Sequence, residues 1–284
     1  MKANLLLLIL IIGFNSSLVA QTSQVITDSV TINGRVTDYD NHPLDNVSVS
    51  WARPDFSEVS VTLTDKNGNY SIRIPKGKYH SMGALNMDEY IIANSTLPEK
   101  DQRLEFWGWD FIADRDTTLN IQYHRMEAYG LRAFRIPGAT PAYQVYVRPM
   151  SLTRTQAWMK AGKPKEAILA PEPEQLKAVV WINGEKVPIL MKQEIKEYFA
   201  PDEWGNAYLL TVDMPKNRNN TLPYYVFKVE LTDLENGDRG EAILPQVRCQ
   251  ARSARHQWTG RTGRSDQHFG HYLPQGDRRR NRAL

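Results

Sequence analysis

Between Ile32 and His80 the chain alternates apolar and polar residues with a period of two, a pattern that a helix cannot bury on one side. Ile32, Gly34 and Val36 alternate with Asn33, Arg35 and Thr37, and Val47, Val49 and Trp51 alternate with Ser48 and Ser50. Successive side chains of a strand point to opposite faces, so each run is expected to be a half-buried strand, one face in a core and the other wet. Asn41-His42-Pro43-Leu44-Asp45 and Asp65-Lys66-Asn67-Gly68-Asn69 interrupt the stretch. Asn and Gly tolerate the positive φ of tight turns, so both clusters are expected to close hairpins between neighbouring strands.

The order of these residues is more specific than their period. Gly34-Arg35-Val36, Pro43-Leu44, Val47, Thr64-Asp65, Gly68, Tyr70, Pro75, Gly77 and Tyr79 follow a pattern that resembles the carboxypeptidase-regulatory-like domain. The resemblance implies a transthyretin-like β-sandwich that is non-catalytic. Similar domains precede the plug of TonB-dependent outer-membrane receptors and accompany glycan-handling proteins, which implies a bacterial envelope setting. A chain of 284 residues has no room for a large outer-membrane barrel as well.

The N-terminus fits that setting. Lys2, an apolar run from Leu5 to Phe14 and the exit Ser16-Ser17-Leu18-Val19-Ala20 predict a secretory signal peptide over residues 1–20, cleaved after Ala20. The run is shorter than the about 20 apolar residues that span a bilayer. No cysteine lies near the cleavage point, and Cys249 can form no intramolecular disulfide because it is the sole cysteine. The expected product is exported: periplasmic, outer-membrane associated or secreted, and not membrane-spanning after cleavage.

Charge separates the far end from the rest. Residues 248–284 hold nine arginines, no lysine and two acids, a net +7, whereas residues 21–247 carry 25 basic and 30 acidic side chains, a net −5. Two accounts of this tail stay open: a disordered basic arm, or residues read in a shifted frame. An exported protein rarely meets nucleic acid, so no nucleic-acid partner is expected.

After a flexible lead-in at residues 21–30, the first β domain is expected over residues 31–126, with further strands at Ser81–Leu85, around Tyr90–Ala93, at Arg103–Ile112 and at Thr117–Tyr123. A second β domain, immunoglobulin-like, is expected over residues 127–247. It would take in Leu131–Ile136, Tyr143–Pro149, a hairpin of Leu176–Ile182 and Lys186–Met191 closed by Asn183-Gly184, and Ala207–Met214 paired with Tyr224–Thr232. Thr153–Pro173 reads as an irregular excursion with at most one helical turn, and Lys192–Phe199 as a short amphipathic helix through Ile195 and Phe199. The fold class is therefore all-β.

Catalytic motifs are missing from this sequence: no Gly-x-Ser-x-Gly elbow, no phosphate-cradling glycine loop after a strand. His124-x-x-Glu127 has the spacing of a zinc pair, but residues three apart on a strand face opposite ways and cannot meet at one ion. Asp65–Asn69 lacks the acidic ligands of a calcium loop, and Asp38-Tyr39-Asp40-Asn41 is explained by turn chemistry in the same way. Cys249, His268 and His271 are too scattered to hold zinc. No enzyme, metal or cofactor is expected. Trp107 and Trp109, within Glu105–Phe111, would share one strand face. Exposed, they form a stacking platform for a sugar or an anchor for a partner; buried, they belong to a core. Trp51, Trp158 and Trp204 are expected in the core. The functional expectation is an envelope module that presents its sandwich to a protein or glycan partner. The alternative is a carbohydrate-binding module using Trp107 and Trp109, and the third option is a hydrolase whose site leaves no motif.

Overall fold

The structure, a computed structural model, describes residues 28–91, 97–136, 138–217 and 221–247. The signal peptide expected over residues 1–20 and the arginine-rich tail, with Cys249, His268 and His271, lie outside the described residues. Within them the alternating runs are strands. The first half holds β1 (Ser29–Thr37), β2 (Ser48–Ala52), β3 (Glu58–Leu63), β4 (Asn69–Pro75), β5 (Gly77–Lys78), β6 (Ser81–Leu85), β7 (Phe106–Trp109), β8 (Ile112–Ala113), β9 (Thr117–Thr118) and β10 (Ile121–Gln122). The second holds β11 (Met126–Phe134), β12 (Ala142–Ser151), α1 (Leu152–Lys160), β13 (Glu166–Ala167), β14 (Leu176–Ile182), β15 (Glu185–Val187), β16 (Ile189–Ala200), β17 (Glu203–Asp213), β18 (Tyr224–Asp233) and β19 (Arg239–Val247). The fold class is all-β. No helix among the described residues is long and apolar enough to cross a membrane.

One sheet of eight strands, ordered β15-β14-β18-β19-β7-β6-β2-β3, runs through both halves. A smaller sheet places β1 between β4 and the short strands β9 and β10, and a third joins β11, β12, β13, β16 and β17. Two cores result. The first packs Val30, Ile32 and Ile74 of the small sheet against Val47, Val49, Trp51 and Phe106 of the long one. The second packs Val145, Val147 and Leu210 of the third sheet against Val180, Phe227 and Val229. The halves join where β19 pairs in parallel with β7, Ala242 opposite Trp107 and Ile243 opposite Gly108. Alternation then sends Ile243 into the first core and Ala242 and Leu244 into the second. The long sheet therefore buries opposite faces at its two ends, which leaves one face of β2 and β6 without a covering sheet beside β11.

Arg125 pins the passage from β10 to β11. Its Nε donates to Asp238 Oδ1 at 3.1 Å, Nη1 to the carbonyls of Glu99 and Gln102, and Nη2 to Thr153 Oγ1 and Gln156 Oε1 at 3.1 and 3.0 Å. Asp238 also accepts Ser151 Oγ at 2.6 Å and the amide of Thr153 at 2.9 Å. The guanidinium is thus met on every nitrogen, by elements from both halves.

Several local expectations change. β1 pairs with β4, and β2 with β3 and β6, so the two turn clusters cross between sheets instead of closing hairpins. Their chemistry is as read: Gly68 has φ 75°, and a side chain there would also strike the Val36 carbonyl oxygen at 2.3 Å. Gly34 is needed for closeness, since a Cβ would lie 1.8 Å from the carbonyl oxygen of Leu119. Arg103–Ile112 shortens to β7, ended by Asp110 at φ 49°, and Thr117–Tyr123 divides into β9 and β10. Tyr90 makes only an isolated bridge to Arg103, and residues 92–96 are outside the description. The expected helix at Lys192–Phe199 is part of β16, because β17 offers it an antiparallel partner along nearly its whole length. The irregular excursion begins instead with α1, capped by Ser151 Oγ, which accepts the amide of Arg154 at 3.2 Å. Strands β17 and β18 do not pair with each other; β17 lies between β12 and β16, and β18 between β14 and β19. The Asn183-Gly184 hairpin is present, with φ 52° and 78°.

Candidate functional site

The face that the long sheet leaves uncovered is the one the alternation made wet. Val47, Val49 and Trp51 turn into the first core, so Ser48 and Ser50 face outward; on β6 Met82 and Ala84 turn in, and Gly83 and Leu85 out. These small outward residues floor a trough of about 250 Å³, walled by Phe56, Glu58, Met87, Glu105 and Trp107.

Phe56 reaches the trough by way of a strained turn. Between β2 and β3 the amide of Phe56 donates to the Arg53 carbonyl at 2.9 Å, and Asp55 Oδ1 accepts the amide and hydroxyl of Ser57 at 3.0 and 2.7 Å. The last loop position then needs positive φ, ordinarily a glycine's place, and Phe56 occupies it at 60°. Phe56 is 47% exposed as a residue, and its ring meets His80 and Trp107 edge-on, with centroids 5.2 and 6.0 Å apart.

Trp107 is the adjoining wall and is held from behind. Its indole N–H donates to Glu127 Oε1 at 2.6 Å, and its ring stacks on Trp109 at 5.0 Å and 21°. Tyr129 of β11 stands edge-on to both indoles, and the Arg132 guanidinium lies 5.1 Å from the Trp109 centroid. The two tryptophans do share a face, as their spacing required. They do not share exposure: Trp109 is 2% exposed in the second core while Trp107 is half-buried. A platform of two coplanar exposed indoles is therefore not what the fold provides; Trp107 presents its surface and Trp109 supports it.

Two acids complete the place. Glu105 lines the trough at 9% exposure, its Oε1 accepting the Tyr90 hydroxyl at 3.0 Å and its Oε2 finding no donor among the described residues. Burial pushes this carboxyl up to about 7, against the pull of the Tyr90 hydrogen bond. Glu127 is held well above the usual carboxylate range, first by burial and then by the charge of Glu105. A hydrolase built on this pair would need both carboxyls at the substrate, and Glu127 does not line the trough.

The remaining candidates separate from the trough. Of the pair His124 and Glu127, the Glu127 carboxyl accepts the Trp107 indole N–H. Asp65 Oδ1 accepts the amides of Asn67 and Asn69 at 2.9 and 2.8 Å, and Asp38 Oδ1 those of Asp40 and His42, both at 2.9 Å. Asp38, Asp40 and His42 do gather, with His42 Nδ1 3.0 Å from Asp38 Oδ2, as a turn-stabilising cluster. Trp51 is in the core, but Trp158 and Trp204 are not: both are half-buried at the surface, the latter under the Lys196 ammonium at 3.7 Å. Phe56, Glu105 and Tyr90 escaped the sequence reading. For Glu105 a signal existed, because it stands two residues before Trp107 and shares its strand face.

Residues 31–82 match the family model described as the carboxypeptidase regulatory-like domain, which spans β1 to the start of β6. The match includes Phe56, Glu58 and the serine floor and stops short of Glu105 and Trp107. No curated protein matches the chain. Among solved structures, the chain is similar to BcpA, the major pilin subunit of Bacillus cereus, at 12% identity over 77% of this chain and 69% of that one, with a TM-score of 0.24. It is also similar to a candidate carbohydrate-binding protein from Bacteroides uniformis, at 10% identity over 77% and 99% of the two chains, with a TM-score of 0.26.

Proposed function

We propose that the chain is an exported, non-catalytic module of the bacterial cell envelope that offers the trough on β2, β6 and β7 to a protein or glycan partner. The observation that carries this reading is Phe56. A bulky residue in a left-handed conformation costs roughly 1–2 kcal/mol, and such strain persists where the surroundings impose it, commonly at binding sites. Here it sets an aromatic ring edge-on against Trp107 at a concave, partly apolar site, the usual form of a binding pocket. The signal peptide expected at residues 1–20 and the match to a regulatory-like domain support the export and the non-catalytic role. In this reading residues 31–126 and 127–247 are two β domains, the second immunoglobulin-like, and the working surface lies beside their junction. In the glycan form of the reading, Trp107 is the stacking surface and Trp109 its support.

The test is a paired screen of the full chain on peptide and glycan arrays, with Trp107→Ala beside it. Binding that Trp107→Ala removes supports the trough as the working face. Binding that survives the substitution overturns it.

A further inference from the structure

The trough is one-sided in its chemistry. Its lining carries two carboxyls, Glu58 at the exposed rim and Glu105 within, the hydroxyls of Ser48, Ser50 and Ser81, and no lysine, arginine or histidine. The Glu105 carboxyl lines the trough with Oε2 enclosed and without a donor among the described residues, so its ionised form is costly and gains from a cation placed beside it. The indole wall adds a second preference, because an aromatic face attracts a cation held within about 6 Å of its centre. Size adds a third. At about 250 Å³ the trough is smaller than the roughly 300–1,000 Å³ of sites for drug-sized ligands, so it holds a group of side-chain dimensions.

Resting on the reading of the trough as the binding face, we propose that its occupant is an alkylammonium group, of the kind that a lysine side chain of a partner protein presents. The ammonium donates to the serine hydroxyls and sits beside the Glu105 carboxyl that lines the trough, its methylene stem lies along Leu85, Phe56 and the Trp107 ring, and Glu58 completes the charge at the mouth. A neutral sugar brings donors but no charge to set against two acids in one small hollow. Glu127 takes no part in contact; it is a positioning residue that fixes the Trp107 ring through the indole N–H.

The test uses the full chain with nitrogen-15-labelled indoles. It is titrated with n-butylammonium chloride, with n-butanol, with glucose, and with the peptide Gly-Gly-Lys-Gly-Gly in plain and lysine-acetylated forms. The Trp107 indole resonance, identified by its loss in Trp107→Phe, is expected to shift saturably with butylammonium and the plain peptide, and not with butanol, glucose or the acetylated peptide. Glu105→Gln is expected to weaken the response about tenfold, as loss of the charge beside the ammonium does. Gly83→Val is expected to abolish it by filling the floor, from a position where a Cβ meets only the Phe106 carbonyl oxygen, at 3.8 Å. The groups that interact with Glu105 are Tyr90, Trp107, Tyr123 and Glu127, none of them cationic, so affinity should rise between about pH 6 and about pH 8 as Glu105 ionises. A shift with glucose and none with butylammonium overturns the ammonium and leaves the trough as a binding face. A shift with butylammonium but not the plain peptide overturns the lysine of a partner. No shift with any probe overturns both.

Discussion

Arg125 and Glu127 are two residues apart in sequence and both are buried ionisable groups, yet the molecule treats them in opposite ways. Around Arg125 every nitrogen is matched, and its acid Asp238 is matched in turn by Ser151 and Thr153. Around Glu127 there is a second acid, Glu105, and an oxygen with no donor among the described residues. Desolvating a charge costs several kcal/mol and is repaid only when geometry and hydrogen bonding are complete. The Arg125 cluster meets that condition and joins the halves. The Glu105 cluster does not meet it in isolation, and it borders the one wall of strained backbone in the trough.

The largest test of that contrast is Arg125→Ala. It leaves Asp238 buried, 2% exposed by side chain, without its cation, and should cost about 3–5 kcal/mol in urea unfolding. A loss below about 1 kcal/mol, the range of a surface pair, would end the claim that this cluster fastens the halves. The opposite sign is expected at the other cluster. The folded-state pKa of Glu105 is raised to about 7 from the ordinary 4.5, so the folded chain holds this proton more tightly than the unfolded chain does. Its contribution is favourable below about pH 4.5 and is lost as pH rises through about 7. Glu105→Gln removes the titration and keeps the shape, so the drop in the urea midpoint between about pH 5 and about pH 8 should shrink, on the order of 1–3 kcal/mol, the cost of leaving a buried polar group unmatched. An unchanged drop would place the pH response elsewhere, in acids such as Glu241 whose carboxyl burial also raises.

The same two clusters show how far sequence reading reaches. Period-two alternation makes β1, β2 and β4 legible, because each strand must sort its own residues between two faces whatever its partner is. Partner choice is not written there. The turns at Asn41 and Gly68 have hairpin chemistry, yet they hand the chain from one sheet to the other, since burying Ile32 and Ile74 against Val47 and Trp51 requires two sheets. At Lys192–Phe199 two apolar residues spaced by four suggest a helix, and the long partner β17 overrides them with eleven residues of strand. The site divides likewise. Ser48 and Ser50 were readable as a wet face, because outwardness is a local property. That Trp109 would be fully buried while Trp107 kept a surface was not, since it depends on Tyr129 and Arg132 arriving from β11. Phe56 left no trace, because nothing local says that a turn with Pro54 and Asp55 will place a phenylalanine where a glycine belongs.

The smallest expected effect on stability, and the sharpest on the comparison, belongs to Phe56→Gly. Glycine relieves the left-handed strain of roughly 1–2 kcal/mol but adds about 0.5–1 kcal/mol of unfolded-chain entropy. It also forfeits edge contacts with His80 and Trp107, worth about 0.5–1.5 kcal/mol in a fully packed pair and less for a residue 47% exposed. These contributions nearly cancel, so the urea midpoint should move by less than about 1 kcal/mol in either direction, far from the Arg125→Ala loss. The butylammonium response of the Trp107 indole should disappear in the same protein, because one wall of the trough is gone. A stability loss of about 2 kcal/mol or more, the scale of a packed aromatic, would make Phe56 a structural residue and remove the strain from the case for a binding face. A fold that is indifferent to this ring while its ligand is not would mean that the left-handed turn is kept for what enters the trough.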